Sequence, residues 1–378
     1  MRTITDVESL TGVEAGWDEL VRAMRRPSPF MLHAWLRNWS VIADKTGQLA
    51  VQVAQRDGQL VSALPFVTHS HFGMKVASFI GGHCAPLGDV LLAPGEPEET
   101  GRALVDRARG GEQQLVDFFG LSGHSLLGTL VPGDDLRLIR RVDAPVLDLS
   151  AGWDEVYKSK TSSKTRNLHR RRRRQLGELG KLETEVAQTA DELDSAITDA
   201  FHLHQLRWAG RPDGSNFASP KGQVFHRAAI RELAAMDIPR IVLLKLDGRA
   251  IAFHYYFAFC GRMYVHRLAF DPELSRYSPG LVNTLDAIQI AAEEGLTLVE
   301  YLGGAERYKV DLSDERDPLY QAIGMATGPV GKAAAALHTQ GIEARNRLRE
   351  SKTLRNFYFE GLAPARVLLG RVRNRGMQ

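Results

Sequence analysis

Apolar positions along this chain repeat with two different periods, and the changes of period mark out its elements. Apolar-rich runs at residues 50–55 and 60–67 flank Arg56-Asp57-Gly58-Gln59, and a second pair at 241–246 and 250–259 flanks Asp247-Gly248. Asp-Gly between two such runs predicts a hairpin, because both turn residues tolerate positive φ. A glycine follows each pair, Gly73 or Gly261, and opens a third run, MKVASFIGG or RMYVHRLAF. Hairpin plus third strand, repeated at nearly equal intervals, predicts a duplicated α+β module.

Spacing of three and four predicts the helices. Over residues 191–208, Leu193, Ile197, Ala200, Phe201, His204 and Trp208 fall on one face. Ser219-Pro220 reads as an N-cap followed by proline in the first turn, and Ser278-Pro279 repeats that signature. The second of these helices ends at Gly295, and residues 296–302 then read as a buried strand. The expected organisation is a first module over 1–150, a second over 151–330, and a basic helical extension over 331–378.

The segment 261–309 runs strand (263–270), loop (271–278), helix (279–294), strand. A helix that opens after a strand presents free N–H groups and the positive end of its dipole. Such an end suits a pyrophosphate, and Gly280 would let the backbone approach it closely. Ser-Pro-Gly is also simply a good helix start, so the motif alone leaves both readings open.

Composition narrows the class without naming it. At 378 residues the chain suits two domains or one large α/β unit, and 44% apolar with 25% charged residues is the ordinary balance of a soluble globular protein. No apolar run reaches the roughly 18–20 residues of a membrane-spanning helix. Asp6, Glu8 and Glu14 occupy the stretch where a signal peptide would be apolar, so cytoplasm is the expected compartment. Two cysteines, Cys84 and Cys260, provide neither a disulfide framework nor a four-cysteine zinc site. His69, His71, His83 and Cys84 match no zinc spacing, so no metal is expected. The chain has no G-x-S-x-G elbow, Walker loop, G-x-G-x-x-G fingerprint or H-E-x-x-H, which disfavours serine hydrolase, kinase, dinucleotide and zinc-protease chemistry.

Net charge is only +3, yet residues 158–174 hold nine Lys and Arg and no acid. Residues 339–378 hold nine more, against three glutamates. Such clusters attract phosphates, nucleic acid, acidic proteins or an anionic lipid surface, or they form a solvated face.

Five stretches together resemble a known family. SSKTRNLHRRRRR (162–174), HQLRW (204–208), GRMYVHRLAFDPELSRYSPG (261–280) and EYLGGAERYK (300–309) carry the resemblance, with a weaker echo in FIGGHCAPLGDVLL (79–92). They are similar in order and kind to motifs of the GNAT acyltransferases, in the CelD/BcsL-like branch related to the FemAB aminoacyl transferases. Departures are visible too. Glu300 stands where the family usually has Asp, Ala305 replaces a second acid, and Arg276-Tyr277-Ser278-Pro279-Gly280-Leu281 replaces the usual phosphate loop.

The resemblance implies tandem GNAT-like modules, each a mixed, mostly antiparallel sheet flanked by helices. It implies direct attack of an amine on a thioester, with acyl-CoA as donor or an acyl carrier protein in its place. That chemistry needs a base for the ammonium, donors for the oxyanion and an acid for the thiolate. Glu300 and His266 are the candidate bases and Tyr308 the candidate acid. Arg276, Ser278, Gly280 and Leu281 are the candidate cofactor residues. His204 and Arg207 would line the acceptor cleft with Tyr264, Asp89 would bind the acceptor from the first module, and Lys309 would hold a phosphate or carboxylate. Each also has a plain structural reading, as a satisfied core histidine, a packed tyrosine ring, a capping aspartate or a solvated amine. The acceptor is expected to be an amine of an envelope, lipid or polysaccharide precursor. The alternatives are a FemAB-like transfer from aminoacyl-tRNA, with Arg170–Arg174 on RNA phosphates, and a non-catalytic module docked on a membrane or partner.

Overall fold

The computed structural model describes residues 1–43, 47–71, 74–82, 86–111, 113–131, 136–208, 216–303 and 307–350. The strands are β1 (Arg2–Ile4), β2 (Gln48–Leu49), β3 (Val51–Arg56), β4 (Gln59–Leu64), β5 (Phe66–His71), β6 (Met74–Phe79), β7 (Leu91–Leu92), β8 (Leu115–Ser122), β9 (Leu136–Asp148), β10 (Leu182–Ala187), β11 (Pro239–Leu246), β12 (Arg249–Phe259), β13 (Arg262–Phe270), β14 (Leu298–Glu300) and β15 (Glu315–Gly324). The helices are α1 (Val7–Thr11), α2 (Trp17–Arg22), α3 (His33–Ala43), α4 (Glu98–Arg109), α5 (Leu126–Leu130), α6 (Trp153–Lys160), α7 (Ser163–Gly177), α8 (Ala190–Trp208), α9 (Pro220–Ala234), α10 (Pro279–Glu293), α11 (Arg307–Asp311) and α12 (Gly328–Glu350).

Both Asp-Gly hairpins form as the sequence predicts. Asp57 and Gly58 have φ of 51° and 80°, Asp247 and Gly248 have 49° and 79°, and these paired positive values define the tight turn. A third such turn, Cys260-Gly261, joins β12 to β13. In the second half β11, β12 and β13 are long antiparallel neighbours in one sheet. In the first half the expected run 60–67 is broken instead. Pro65 has no N–H to give to a ladder, so the chain bends there, leaving β4 in a small sheet of order β1-β3-β4-β7 and sending β5 into the main sheet.

The main sheet has eleven strands in the order β10-β11-β12-β13-β14-β9-β15-β8-β6-β5-β2. Each half contributes the same unit, an antiparallel pair followed by a helix and a parallel strand. These are β12–β13 with α10 and β14, and β5–β6 with α4 and β8. Each half's last strand is then exchanged. β9 of the first half pairs with β14 of the second, and β15 of the second pairs with β8 of the first. β9 and β15 pair with each other between them. The described part of the carboxy-terminal extension, α12, lies on this junction, with His338 on Asp117 at 2.9 Å and Asn346 on the Arg140 carbonyl at 2.9 Å.

A shared core and a buried ionic cluster lock the halves together. Phe30 and Trp35 of the first half insert their rings among Phe225, Phe257 and His266, at centroid distances of 4.7–5.5 Å. Beside them Arg26 reaches across to Glu300 at the end of β14 and to Asp317 on β15. Arg262 donates to the same Glu300 Oε1 at 2.6 Å. The Glu300 side chain is wholly buried and that of Arg26 nearly so. A buried carboxylate is tolerable only when charge and hydrogen bonds answer it.

Arg26→Ala should therefore lower stability by about 3 kcal/mol, the usual cost of stranding a buried charge. The measurement is the urea midpoint, which should fall at unchanged m-value. An unchanged midpoint would mean that the cluster does not hold the halves together.

Candidate active site

The site follows from how two parallel strands part. β13 and β14 pair at only three positions, Arg262–Leu298, Met263–Val299 and Tyr264–Glu300. Beyond them the strands diverge, which is why the expected strand 296–302 is only Leu298–Glu300. The gap opens into a cavity of about 440 Å³, with Val265 to Leu268 on one side and Tyr301 to Gly303 on the other. His204 and Trp208 of α8 and Lys309 of α11 complete its polar wall, and Pro86, Phe119 and Leu319 its floor.

The equivalent gap in the first half is filled by the chain itself. β6 and β8 pair only at Val76–Leu115 and Ala77–Val116 before parting. The following segment then crosses the gap, and the Leu87 N–H donates to the Gly120 carbonyl at 2.8 Å. Gly120 has φ of +84°, and a side-chain carbon built there would come within 3.1 Å of Pro86. The FIGGHCAPLGDVLL stretch thus closes one cleft and, through Pro86, floors the other. His83 and Cys84 within it lie outside the described residues.

A β-bulge arranges the residues around the open cavity. Tyr255 faces Arg267 and Tyr256 faces Val265, so His266 is the extra residue in β13. The bulge breaks strict alternation. It brings Arg267 to the same side as His266, where its charge is felt by His204, His226, His266 and Tyr255. Alternation from Tyr264 places Arg267 on the opposite face, so sequence reasoning missed it. His226 and Tyr255 were missed as well, because they read as ordinary core positions.

His204 is nearly buried, stacks on Trp208 at 5.8 Å and makes no hydrogen bond among the described residues. Burial, reinforced by Arg267, lowers its pKa to about 4. The imidazole is therefore neutral at physiological pH and able to accept a proton. His266 and His226 are held well below the usual range by burial and by Arg267, with a further contribution from His226 to His266 and from His204 to His226. His266 lines the cavity, but its Nε2 is sealed without a partner among the rings of Phe30, Trp35, Tyr255 and Phe257.

Other sequence-derived candidates have different surroundings. Glu300 is clamped by Arg26 and Arg262, so its carboxylate serves the junction between halves and is not free to take a proton from an amine. The Tyr264 hydroxyl donates to the Pro27 carbonyl, and burial pushes its pKa up. Asp89 is not among the residues that line the cavity and accepts N–H bonds from Val90, Leu126 and Leu127 at 2.7–2.8 Å, which caps α5. Its burial raises its pKa to about 6. Tyr308 stands edge-on to Tyr301 at 6.3 Å, and Lys309 Nζ donates to the Gly303 carbonyl at 2.6 Å on the cavity wall.

Of the expected cofactor residues, Arg276 lies over the Tyr277 ring, and Ser278 adopts left-handed φ and ψ of 54° and 51°. The Ser278 side chain does not cap α10, whereas Ser219 does cap α9 by accepting from Gly222 at 3.1 Å. Gly280 is required because a side-chain carbon there would lie 2.7 Å from Phe270 Cδ1. Arg207 covers the same Phe270 ring at 5.3 Å, beside the start of α10, and is not among the residues that line the cavity with His204. Leu281 is half-buried in that first turn. Among the described residues no group of three or more His, Cys, Asp or Glu is placed to hold a metal ion.

This geometry has a known setting. Residues 163–310 match the family described as an acetyltransferase (GNAT) domain, and the protein is an acyltransferase. Over most of its length the fold is shared with FemX, at 10% identity, 85% coverage of this chain, 97% of that one and a TM-score of 0.58. It is shared likewise with L-PGS from Bacillus licheniformis, at 13% identity, 89% and 97% coverage and a TM-score of 0.54. The C-terminal domain of a putative lysylphosphatidylglycerol synthetase from Agrobacterium fabrum is similar at 14% identity, with 86% and 96% coverage and a TM-score of 0.53. No curated protein sequence matches the chain.

Stability should fall on acidification for a reason located here. Depressed histidines bind fewer protons folded than unfolded, so stability is lost as pH drops from about 6.5 towards 4 for His204. His226, His254 and His266 act in the same direction. Asp89, raised from 3.8 to about 6, acts in the opposite direction over part of that range. His169 is lowered by burial as well, and Asp18 is raised by it. With five lowered histidines against two raised aspartates, the urea midpoint should drop between pH 6.5 and 4. His204→Gln should flatten the slope, and an unchanged slope would count against a depressed His204.

Proposed function

We propose that the protein transfers an acyl group from a CoA thioester to an amine, with the acceptor an amine-bearing lipid or envelope precursor. The observation that carries this reading is the open gap between β13 and β14, walled by neutral His204 and by the cations Arg267 and Lys309. The fold shared with a putative lysylphosphatidylglycerol synthetase domain supports a lipid among the acceptors.

The uncapped first turn of α10, with Arg207 and Arg276 beside it, fits the phosphates of the donor. In the transfer the amine nitrogen bonds to the thioester carbonyl carbon, the carbon–sulfur bond breaks, and the ammonium proton leaves. His204 takes that proton, directly or through water. The two nearby cations favour the neutral amine over its ammonium form, so a weakly basic imidazole suffices. Arg267 also stabilises the negative charge that develops on the carbonyl oxygen. Tyr308, one residue before Lys309, returns a proton to the departing thiolate.

A second reading, transfer from aminoacyl-tRNA, is supported by the seven Lys and Arg of α7 packed beside α10. An acyl carrier protein as donor would meet the same helix. Release of free thiol from acetyl-CoA and palmitoyl-CoA, measured with amine acceptors of varied headgroup, separates these cases. Turnover with a CoA thioester is expected, and His204→Ala and Arg267→Ala should each reduce kcat by about a hundredfold or more. Turnover with aminoacyl-tRNA or carrier-bound acyl groups alone would replace the CoA reading, and undiminished turnover in the His204 variant would remove its assigned role.

A further inference from the structure

Helix α7 has one engaged face and one open face. On the inner side Leu176 is buried, Arg173 binds Asp286 of α10 at 2.5 and 2.7 Å, and His169 meets the Tyr157 hydroxyl at 2.8 Å. On the outer side Lys164, Leu168, Arg171, Gln175 and Leu179 follow at steps of three and four residues, one straight stripe along the helix. Leu179 lies just past the last turn, its N–H still bonded to the Leu176 carbonyl at 3.0 Å. Exposed Arg170 and Arg174 flank the stripe, and residues 163–179 contain one acid, Glu178, which lies 3.4 Å from Arg174. Lys164 and Arg171 make no hydrogen bond or ion pair among the described residues. Leu168 and Leu179 are 43% and 44% exposed and lie on one line with the cations.

We propose that this face of α7 docks on a bilayer that carries anionic lipid. The cations match phosphate headgroups, and the two leucines, about three helical turns apart on the same line, reach a flat surface together. RNA phosphates would satisfy the arginines but leave the leucines without an apolar partner. Behind that face α7 packs on α10 and the turn Pro272–Tyr277, so docking sets the start of α10, the donor end of the proposed site, on the lipid side of the molecule. That last consequence rests on the acyl-transfer reading, whereas docking does not, so the test reads binding alone.

Co-sedimentation of the full chain with phosphatidylcholine vesicles, with and without 30% phosphatidylglycerol, tests the proposal at low and moderate salt. Binding should require the anionic lipid and weaken with salt. The triple variant Arg170→Glu, Arg171→Glu, Arg174→Glu should lose on the order of a hundredfold in partition. Leu168→Ser with Leu179→Ser should lose severalfold for vesicles, and should leave the retention of bulk tRNA unchanged. Far-UV circular dichroism checks that each variant is folded, and the leucine pair tests the same face should the charge variant fail to fold. Vesicle binding unchanged in both variants would overturn the proposal, including the case in which residues 351–378 supply all of the attraction. Loss of tRNA or carrier-protein binding with vesicle binding intact would also overturn it and reassign the helix.

Discussion

The pairing of β9 with β15 is the constraint from which the other features of the fold follow. Ten cross-strand positions join a strand of the first half to one of the second. Each also completes the sheet of the other half, β9 beside β14 and β15 beside β8. Neither half can close its sheet alone. The exchange brings Asp317 of β15 and Glu300 of β14 within reach of Arg26, and it sets Phe119 and Pro86 under a cavity whose chemistry belongs to the other half. A duplicated unit thereby yields an unsymmetrical molecule: one gap between parallel strands stays open, and the other is closed by the Leu87–Gly120 hydrogen bond.

Electrostatics within the cavity depend on this arrangement. Aromatic rings from both halves enclose three histidines, whose burial keeps them uncharged, and one arginine brought in by a bulge adds to the effect. Without the bulge that guanidinium would belong to the opposite face. The same dry surroundings that disfavour imidazolium strengthen the interaction of Arg267 and Lys309 with an anionic group in the gap. One local irregularity in β13 thus adds to the neutrality of the base and supplies part of the cationic wall.

The sequence carried the local units well. The Asp57-Gly58 and Asp247-Gly248 turns, the helix with His204 and Trp208 on one face, and the strand from Met263 to Phe270 can all be read from residue chemistry over a few positions. What escaped was set by contacts between distant segments. Pro65 divides a run that hydropathy joins, because the loss of one ladder N–H outweighs apolar continuity. Glu300 reads as a base when its neighbours in sequence are considered, but its partners Arg26 and Arg262 lie 274 and 38 residues away. Ser278 looks like Ser219 and yet leaves its helix uncapped, since left-handed backbone turns its side chain away. Gly280 owes its place to the Phe270 ring, a contact that no spacing rule encodes.

Strand exchange also has a consequence in time. β8 is made early in synthesis, and its partner β15 begins only at Glu315, close to the end of the chain. Through most of translation the edges of β8 and β9 lack the strand that will lie between them. An exposed edge of this kind is prone to pair with a foreign strand. Such long-range pairings also slow folding. Speed of synthesis across residues 150–315, and chaperone cover over those edges, are therefore as much a part of obtaining this enzyme as the stability of its finished sheet.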